Sequence, residues 1–337
     1  MIKFNEAELR ENYQGTLALR PGIEAAVDKF YEEGFDSIWI FGTGGTWATG
    51  VQAEYYMRGK CSIPVYVEQA GEFNVTGNKR LTDNALVLFT TVTGTTGELI
   101  TAMETIRKTK AKVIGFVDEP GTPLTKLCDV CFSWPHNSQI KFWMVLDRIQ
   151  YLHGDFPDYD KFYAQLDAHL AQGLCDIEKQ ADEFAHEWAK KKVEWMKENK
   201  DMPHYFIGAG PAWGNTYSTA MCYWEEMLWI RTKSISAPEF FHGTLEIIEK
   251  DTPVTLYLTE DEQRPLEERV ARFLPRVCER YTIIDTKDYK LEGIDEEYRG
   301  RISHLITRCV NNRIEAHLEV ETRHPMEIRR YYRQFPY

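Results

Sequence analysis

No uninterrupted apolar run in this sequence approaches the length of a bilayer span, so no membrane association is expected. Positive charge is also scarce: 40 Lys and Arg stand against 52 Asp and Glu, a formal net charge of −12. A nucleic-acid surface needs clustered Lys and Arg against the phosphates, so nucleic acid is not the expected partner. A small anion stays compatible with this charge, because a loop can bind phosphate with backbone amides and hydroxyls. The opening stretch MIKFNEAELRENYQG lacks an apolar core of the secretory type, so no signal peptide is expected. The seven cysteines are few, odd in number and scattered, which predicts reduced thiols and a cytoplasmic protein. Cys128 and Cys131 form a lone C-x-x-C without a second Cys/His pair at ligand spacing. They read as core or edge-strand thiols, and no metal and no cofactor is expected.

What is present fits a soluble globular protein: 43% hydrophobic and 27% charged residues over 337 positions, long enough for two domains of ordinary size. In the first half, short Val-, Ile- and aromatic-rich runs at 37–41, 64–67, 85–91, 111–117 and 129–134 alternate with helical segments such as TWATGVQAEYYMRGK. Continuous apolar strands separated by helices predict an α/β domain with a parallel, doubly wound sheet. From about 155 to 200 the texture changes: the stretch 159–200 lacks proline and carries apolar residues at helical spacing among many charges, which predicts one or two long amphipathic helices joining two domains.

The second half repeats the theme. HYFIGAG (204–210) mirrors IWIFGTGG (38–45), and PVTLYLTED (253–261) and YTIIDT (281–286) supply further strands. Two copies of one α/β unit follow, each expected to hold a five-stranded sheet. The expected boundaries are a helical segment at 1–35, a first domain at 36–150, a linker at 151–200 and a second domain at 201–337.

Two loops carry the chemistry of the first copy. In FGTGGTWATG, Gly42, Gly44 and Gly45 follow a strand and precede a helix, but Trp47 stands where a dinucleotide-binding loop would have its last glycine. A packing turn and a backbone contact to phosphate or sugar, through Gly44, Gly45 and Thr46, both remain open. In TTVTGTTGE, Thr91, Thr93 and Thr96 surround Gly94 at a strand-to-helix junction, with Glu98 in the first turn. The residues fit either a capped turn or a cradle of hydroxyls and helix-start amides. The matching strand of the second copy runs into TEDEQRP, acidic and without glycine, so the junction itself does not require the threonines.

The pairing of a glycine loop with a Thr91-Val92-Thr93-Gly94-Thr95-Thr96 loop resembles the sugar isomerase (SIS) domain family, in which the second loop wraps the phosphate of a sugar phosphate. The duplication resembles the tandem-SIS proteins, among them the isomerase half of glucosamine-6-phosphate synthase and the Amadori-product deglycases. The segment EEMLWIRTKSISAPEFFHGTLEIIE (225–249) resembles the tandem-SIS stretch in which a catalytic Glu on a helix precedes a catalytic His by sixteen residues, which implies Glu226 and His242. Glu225 stays a rival to Glu226, and Glu239 reads as structural or as a partner of His242. The tail TRHPMEIRRYYRQFPY resembles that of the fructosamine-6-phosphate deglycases. It carries Arg329 and Arg330 roughly where the synthases have a catalytic lysine. Arginine does not readily form an imine or release a proton, but it clamps anions, so Arg330 is a candidate substrate ligand.

The chain starts Met1-Ile2-Lys3, not with the Met-Cys of a glutaminase domain, which argues against the synthase. The resemblance then implies a deglycase acting on a sugar 6-phosphate–amino acid conjugate, with the active site shared between the subunits of a homodimer or higher homo-oligomer. An aldose–ketose isomerase or amino-sugar phosphate deaminase, and a non-catalytic sugar-phosphate sensor, are the alternatives.

Overall fold

The computed structural model describes residues 1–335; Pro336 and Tyr337, the end of the tail motif, lie outside the described residues. Contacts divide the chain into two compact units, one of residues 7–171 and one of residues 1–6 with 172–337.

The first unit opens with helices α1 (Glu6–Leu17) and α2 (Arg20–Glu33). It continues through β1 (Ser37–Gly42), α3 (Gly45–Arg58), β2 (Val65–Gln69), α4 (Ala70–Thr76), β3 (Ala85–Thr91) and α5 (Gly97–Ile106). Then come β4 (Lys112–Val117), β5 (Val130–Phe132), α6 (Ser138–His153) and α7 (Tyr159–Gln165). All five strands are parallel, in the order β2-β1-β3-β4-β5. Every residue of β1 and β3 is buried, which is why SIWIFG and ALVLFTT read as continuous apolar runs and not as alternating ones. Trp39, Phe41, Val87, Phe89 and Val113 pack one sheet face against Leu99, Met103 and Ile106 of α5.

The second unit takes in most of the long helix α8 (Ala171–Asn199), then β6 (His204–Gly208), α9 (Pro211–Ser218) and β7 (Thr232–Ser236). It is completed by α10 (Ala237–Phe240), β8 (Val254–Leu258), α11 (Arg264–Phe273), β9 (Tyr281–Asp285) and α12 (Glu296–Thr322). Its sheet is parallel in the order β7-β6-β8-β9 and, among the described residues, has four strands, not the five expected. One of the four, TKSIS, is too polar and too little buried to announce itself by hydrophobic pattern. The inner strands β6 and β8 are fully buried.

The duplication is visible in backbone detail. Gly44 precedes α3 at φ 54°, ψ −125°, and Gly210 precedes α9 at φ 53°, ψ −136°. This conformation is open to glycine and strained for other residues. Both sheets therefore end their first strand in the same turn, with the following helix starting at the carboxyl edge of the sheet.

Candidate functional site

In the first unit, the carboxyl ends of β1 and β3 carry the two loops. The Thr46 hydroxyl donates to the Thr43 carbonyl at 2.9 Å and accepts from the Thr43 amide at 3.0 Å. It is spent on closing the glycine turn, so its side chain serves the loop's shape, and Gly44 and Gly45 set the entry to α3. The threonine loop differs. Thr91 Oγ1 accepts from the Gly94 amide at 3.3 Å, and Thr93 Oγ1 accepts from the Thr95 hydroxyl at 2.9 Å. Both bonds use threonine oxygens as acceptors and leave the hydroxyl protons of Thr91 and Thr93 to be donated elsewhere. Thr96 is the residue before α5 and makes no side-chain cap bond. The first intrahelical bond runs from the Ile100 amide to the Thr96 carbonyl at 3.0 Å, so the amides before it have no helical partner. A Cβ placed on Gly97 would meet nothing within 4 Å, so this helix start faces open space.

The loop is braced from behind. The Asp118 amide donates to the Thr91 carbonyl at 3.0 Å, and the Leu124 amide to the Gly94 carbonyl at 3.2 Å. Gly94 adopts φ +61°, and a Cβ there would lie 1.9 Å from Thr122 Oγ1. Asp118 is held in turn by Lys141 at 2.8 Å, both side chains almost fully buried. Burial pushes the Lys141 ammonium below its usual range and Asp118 pulls it back. This brace carries no motif and was not legible in the sequence.

In the second unit the equivalent position is filled from within. The buried Glu267 accepts from the Ala209 amide at 3.0 Å and from the Thr259 amide at 2.7 Å, the residues that follow β6 and β8. Burial pushes this carboxyl up to about 8. The acidic TEDEQRPLEE run thus brings its own carboxylate to the amides that an anion would otherwise meet, and sequence reasoning missed that role.

The second unit holds a separate cleft of ≈ 1000 Å³ whose walls include Glu225, Glu226, Trp229, Arg329, Arg330 and Tyr332. Glu226 does not sit in an ordinary α-helix. After α9 the chain winds as a π-helix over Thr219–Glu225, and the Glu226 amide reaches back five residues to the Met221 carbonyl at 3.0 Å. Such wide turns are rare and gather at functional positions. The chain then leaves through Trp229 at φ 58°. Glu225 accepts from the Thr232 hydroxyl at 2.6 Å, whereas Glu226 accepts from Arg329 Nε at 2.9 Å in a half-buried ion pair. Arg330 stacks over Trp229 at 4.3 Å from the ring centroid. The cleft therefore unites Glu226 and Arg330 but not His242. That residue is exposed in the turn after α10, its amide bonded to the Glu239 carbonyl at 2.9 Å, one short step before the helical turn Thr244–Ile247.

Residues 31–147 match the SIS domain, and the chain folds as two SIS-like α/β sheets. Over 330 residues, 94% of this chain and 98% of the relative, it is 26% identical to the fructosamine deglycase FrlB of Bacillus subtilis (strain 168). It is 24% identical to the fructoselysine 6-phosphate deglycase of Escherichia coli (strain K12), over 79% of this chain and 77% of the relative. A solved structure from Bacillus subtilis, described as a candidate phosphosugar isomerase, superposes with a TM-score of 0.84 at 25% identity, covering 92% of this chain and 97% of the other. No helix among the described residues is long and apolar enough to cross a membrane.

Proposed function

We propose that this chain is a deglycase that cleaves a 6-phosphorylated sugar–amino acid adduct of the Amadori type, such as fructoselysine 6-phosphate or glucoselysine 6-phosphate, to a hexose 6-phosphate and free amino acid. The observation that carries the reading is Glu226, a carboxylate placed by a π-turn on a cleft wall and held by Arg329 at 2.9 Å. The deglycase activities by which the two relatives are known support the same substrate class.

In this reading Thr91, Thr93 and Thr96 donate to the phosphate together with the first amides of α5. His242 moves a proton onto the ring oxygen and opens the sugar. Glu226 takes the proton from C1 of the ketoamine and returns it to C2, so the enolamine becomes an aldimine. Water adds to the C=N carbon, the amine leaves with a proton, and C1 becomes the aldehyde of glucose 6-phosphate. Apart from the C–O bond that water forms and the C–N bond that breaks as the amine leaves, the steps are proton transfers, work suited to a positioned carboxylate and imidazole. His242 is exposed and stands apart from the residues lining the Glu226 cleft, so we assign it to the cleft of a second copy of the chain.

The test incubates the protein with each conjugate and follows glucose 6-phosphate and lysine. Release of both supports the deglycase; release of ammonia from an amino-sugar phosphate, or aldose–ketose interconversion without amine release, would replace it.

A further inference from the structure

Cys61, His153 and Asp155 lie far apart in sequence, yet one donor atom from each falls within 4.8 Å of the others. Helices α3 and α6 bring them together. The chain leaves α3 with the Cys61 amide bonded to the Met57 carbonyl at 3.1 Å, so the thiol sits just past the helix end. At the other helix, His153 is the last residue of α6 and Gly154 turns the chain at φ +88°. The Asp155 amide bonds back to the Gln150 carbonyl at 2.8 Å, which fixes the carboxylate beside the imidazole. Asp155 Oδ2 lies 2.7 Å from His153 Nδ1, and the Cys61 thiol faces the same carboxylate.

Two features favour a cation at this point. Two helix C-termini, each carrying partial negative charge on unpaired carbonyls, converge there. Arg58, a cation close by in sequence, is matched by Glu54 at 2.8 Å. A sulfur, a nitrogen and an oxygen donor together suit zinc, whose tetrahedral ligands stand roughly 3.4–3.6 Å apart at ordinary bond lengths. Rotations of the exposed His153 and Asp155 side chains close the remaining gap.

We propose that Cys61, His153 and Asp155 form a three-ligand zinc-class site that staples the end of α3 to the end of α6, with water in the fourth position. On binding, the Cys61 thiol gives its proton to solvent and the sulfur joins the ion. Both helices start at the carboxyl edge of the sheet and end at the opposite edge, so the site is a structural clamp and not part of the threonine loop's chemistry.

The test titrates the full-length, EDTA-stripped protein with cobalt(II) and then zinc(II). The expected result is a thiolate-to-cobalt charge-transfer band saturating at one ion per chain and bleached by zinc. Zinc at about 100 times its Kd should raise Tm by about 5–10 °C. Cys61→Ser and His153→Ala, checked for folding by circular dichroism, should lose the band and the shift, while Cys128→Ser should keep both. A cobalt spectrum without the thiolate band, or a band lost in Cys128→Ser and kept in Cys61→Ser, overturns the site.

Discussion

Arg329 holds Glu226 through its Nε, the one guanidinium nitrogen whose direction is tied to the side-chain stem. This geometry makes Arg329 a positioning residue for the carboxylate. Glu226→Gln should lower kcat by roughly 10²–10⁴-fold, the usual worth of a general acid–base. Arg329→Ala should lower kcat more than it alters KM. Arg329→Lys should recover only part of the loss, because an ammonium lacks the planar fork. Steady-state kinetics decide: an Arg329→Ala enzyme with unchanged kcat would remove the positioning role. A second residue gives a stability prediction. Lys192 on α8 is 7% exposed and lies over the Trp195 ring at 4.4 Å, with no hydrogen bond or ion pair to an acceptor among the described residues. Burial, with Arg280 adding to it, pushes its pKa down to about 7 from 10.5. Below pH 7 the lysine is charged in both folded and unfolded chains, and the folded state bears the full desolvation cost. Above 10.5 it is neutral in both and the cost is gone. Lys192→Met should therefore stabilise the protein by roughly 2–4 kcal/mol at pH 6. The gain should shrink steadily as pH rises from 7 towards 10. Chemical denaturation of both proteins across that range checks this, and a gain independent of pH would contradict it.

The threonine loop, the phosphate site of the proposed reaction, rests on a support that its own motif does not mention. Gly94 takes φ +61°, and on that backbone a Cβ would run into Thr122, so conformation and space both call for glycine. Gly94→Ala should strain the backbone by about 1–2 kcal/mol and push the loop off Thr122. We expect weaker binding of inorganic phosphate and a raised KM for phosphorylated substrate, with kcat less affected. Adding Thr122→Ala should restore part of the affinity by removing the clash but not the backbone strain. Calorimetric phosphate binding by the two variants tests this, and equal affinity in wild type and Gly94→Ala would take the phosphate from this loop. The same element marks the limit of what the sequence discloses. The buried strands β1, β3 and β4 were legible because both faces are covered and their apolar runs are unbroken. The polar strand β7, the π-turn beneath Glu226 and the Asp118–Lys141 brace were not. The strand and the brace depend on partners distant in the chain and the π-turn on a widened local bond, and neither periodicity nor spacing encodes these. The Thr46 hydroxyl, whose bonds to the Thr43 backbone close the turn, likewise shows nothing of this use in the sequence.

At the scale of the whole molecule the two copies differ in the side chains at their strand ends while the backbone turns at Gly44 and Gly210 stayed alike. One copy has hydroxyls at its third strand and the other turns Glu267 inward onto strand-end amides, which occupies that edge of the second unit from within. In the proposed reaction its chemistry lies instead at Glu226, in a cleft that His242 does not line. If His242 serves the cleft of a second copy, two individually inactive variants should complement each other. In an equimolar refolded mixture of Glu226→Gln and His242→Asn chains, half of the dimers are mixed. Each mixed dimer rebuilds one intact site of two, since one chain supplies a sound carboxylate and the other a sound imidazole. Recovered activity should reach about a quarter of wild type in an isologous dimer. Each variant refolded alone should stay inactive, and sedimentation should report the same assembly for all three samples. Mixtures no more active than their components, with mixed dimers demonstrated by a tag on one chain, would return His242 to its own chain's cleft and require the turn after α10 to move.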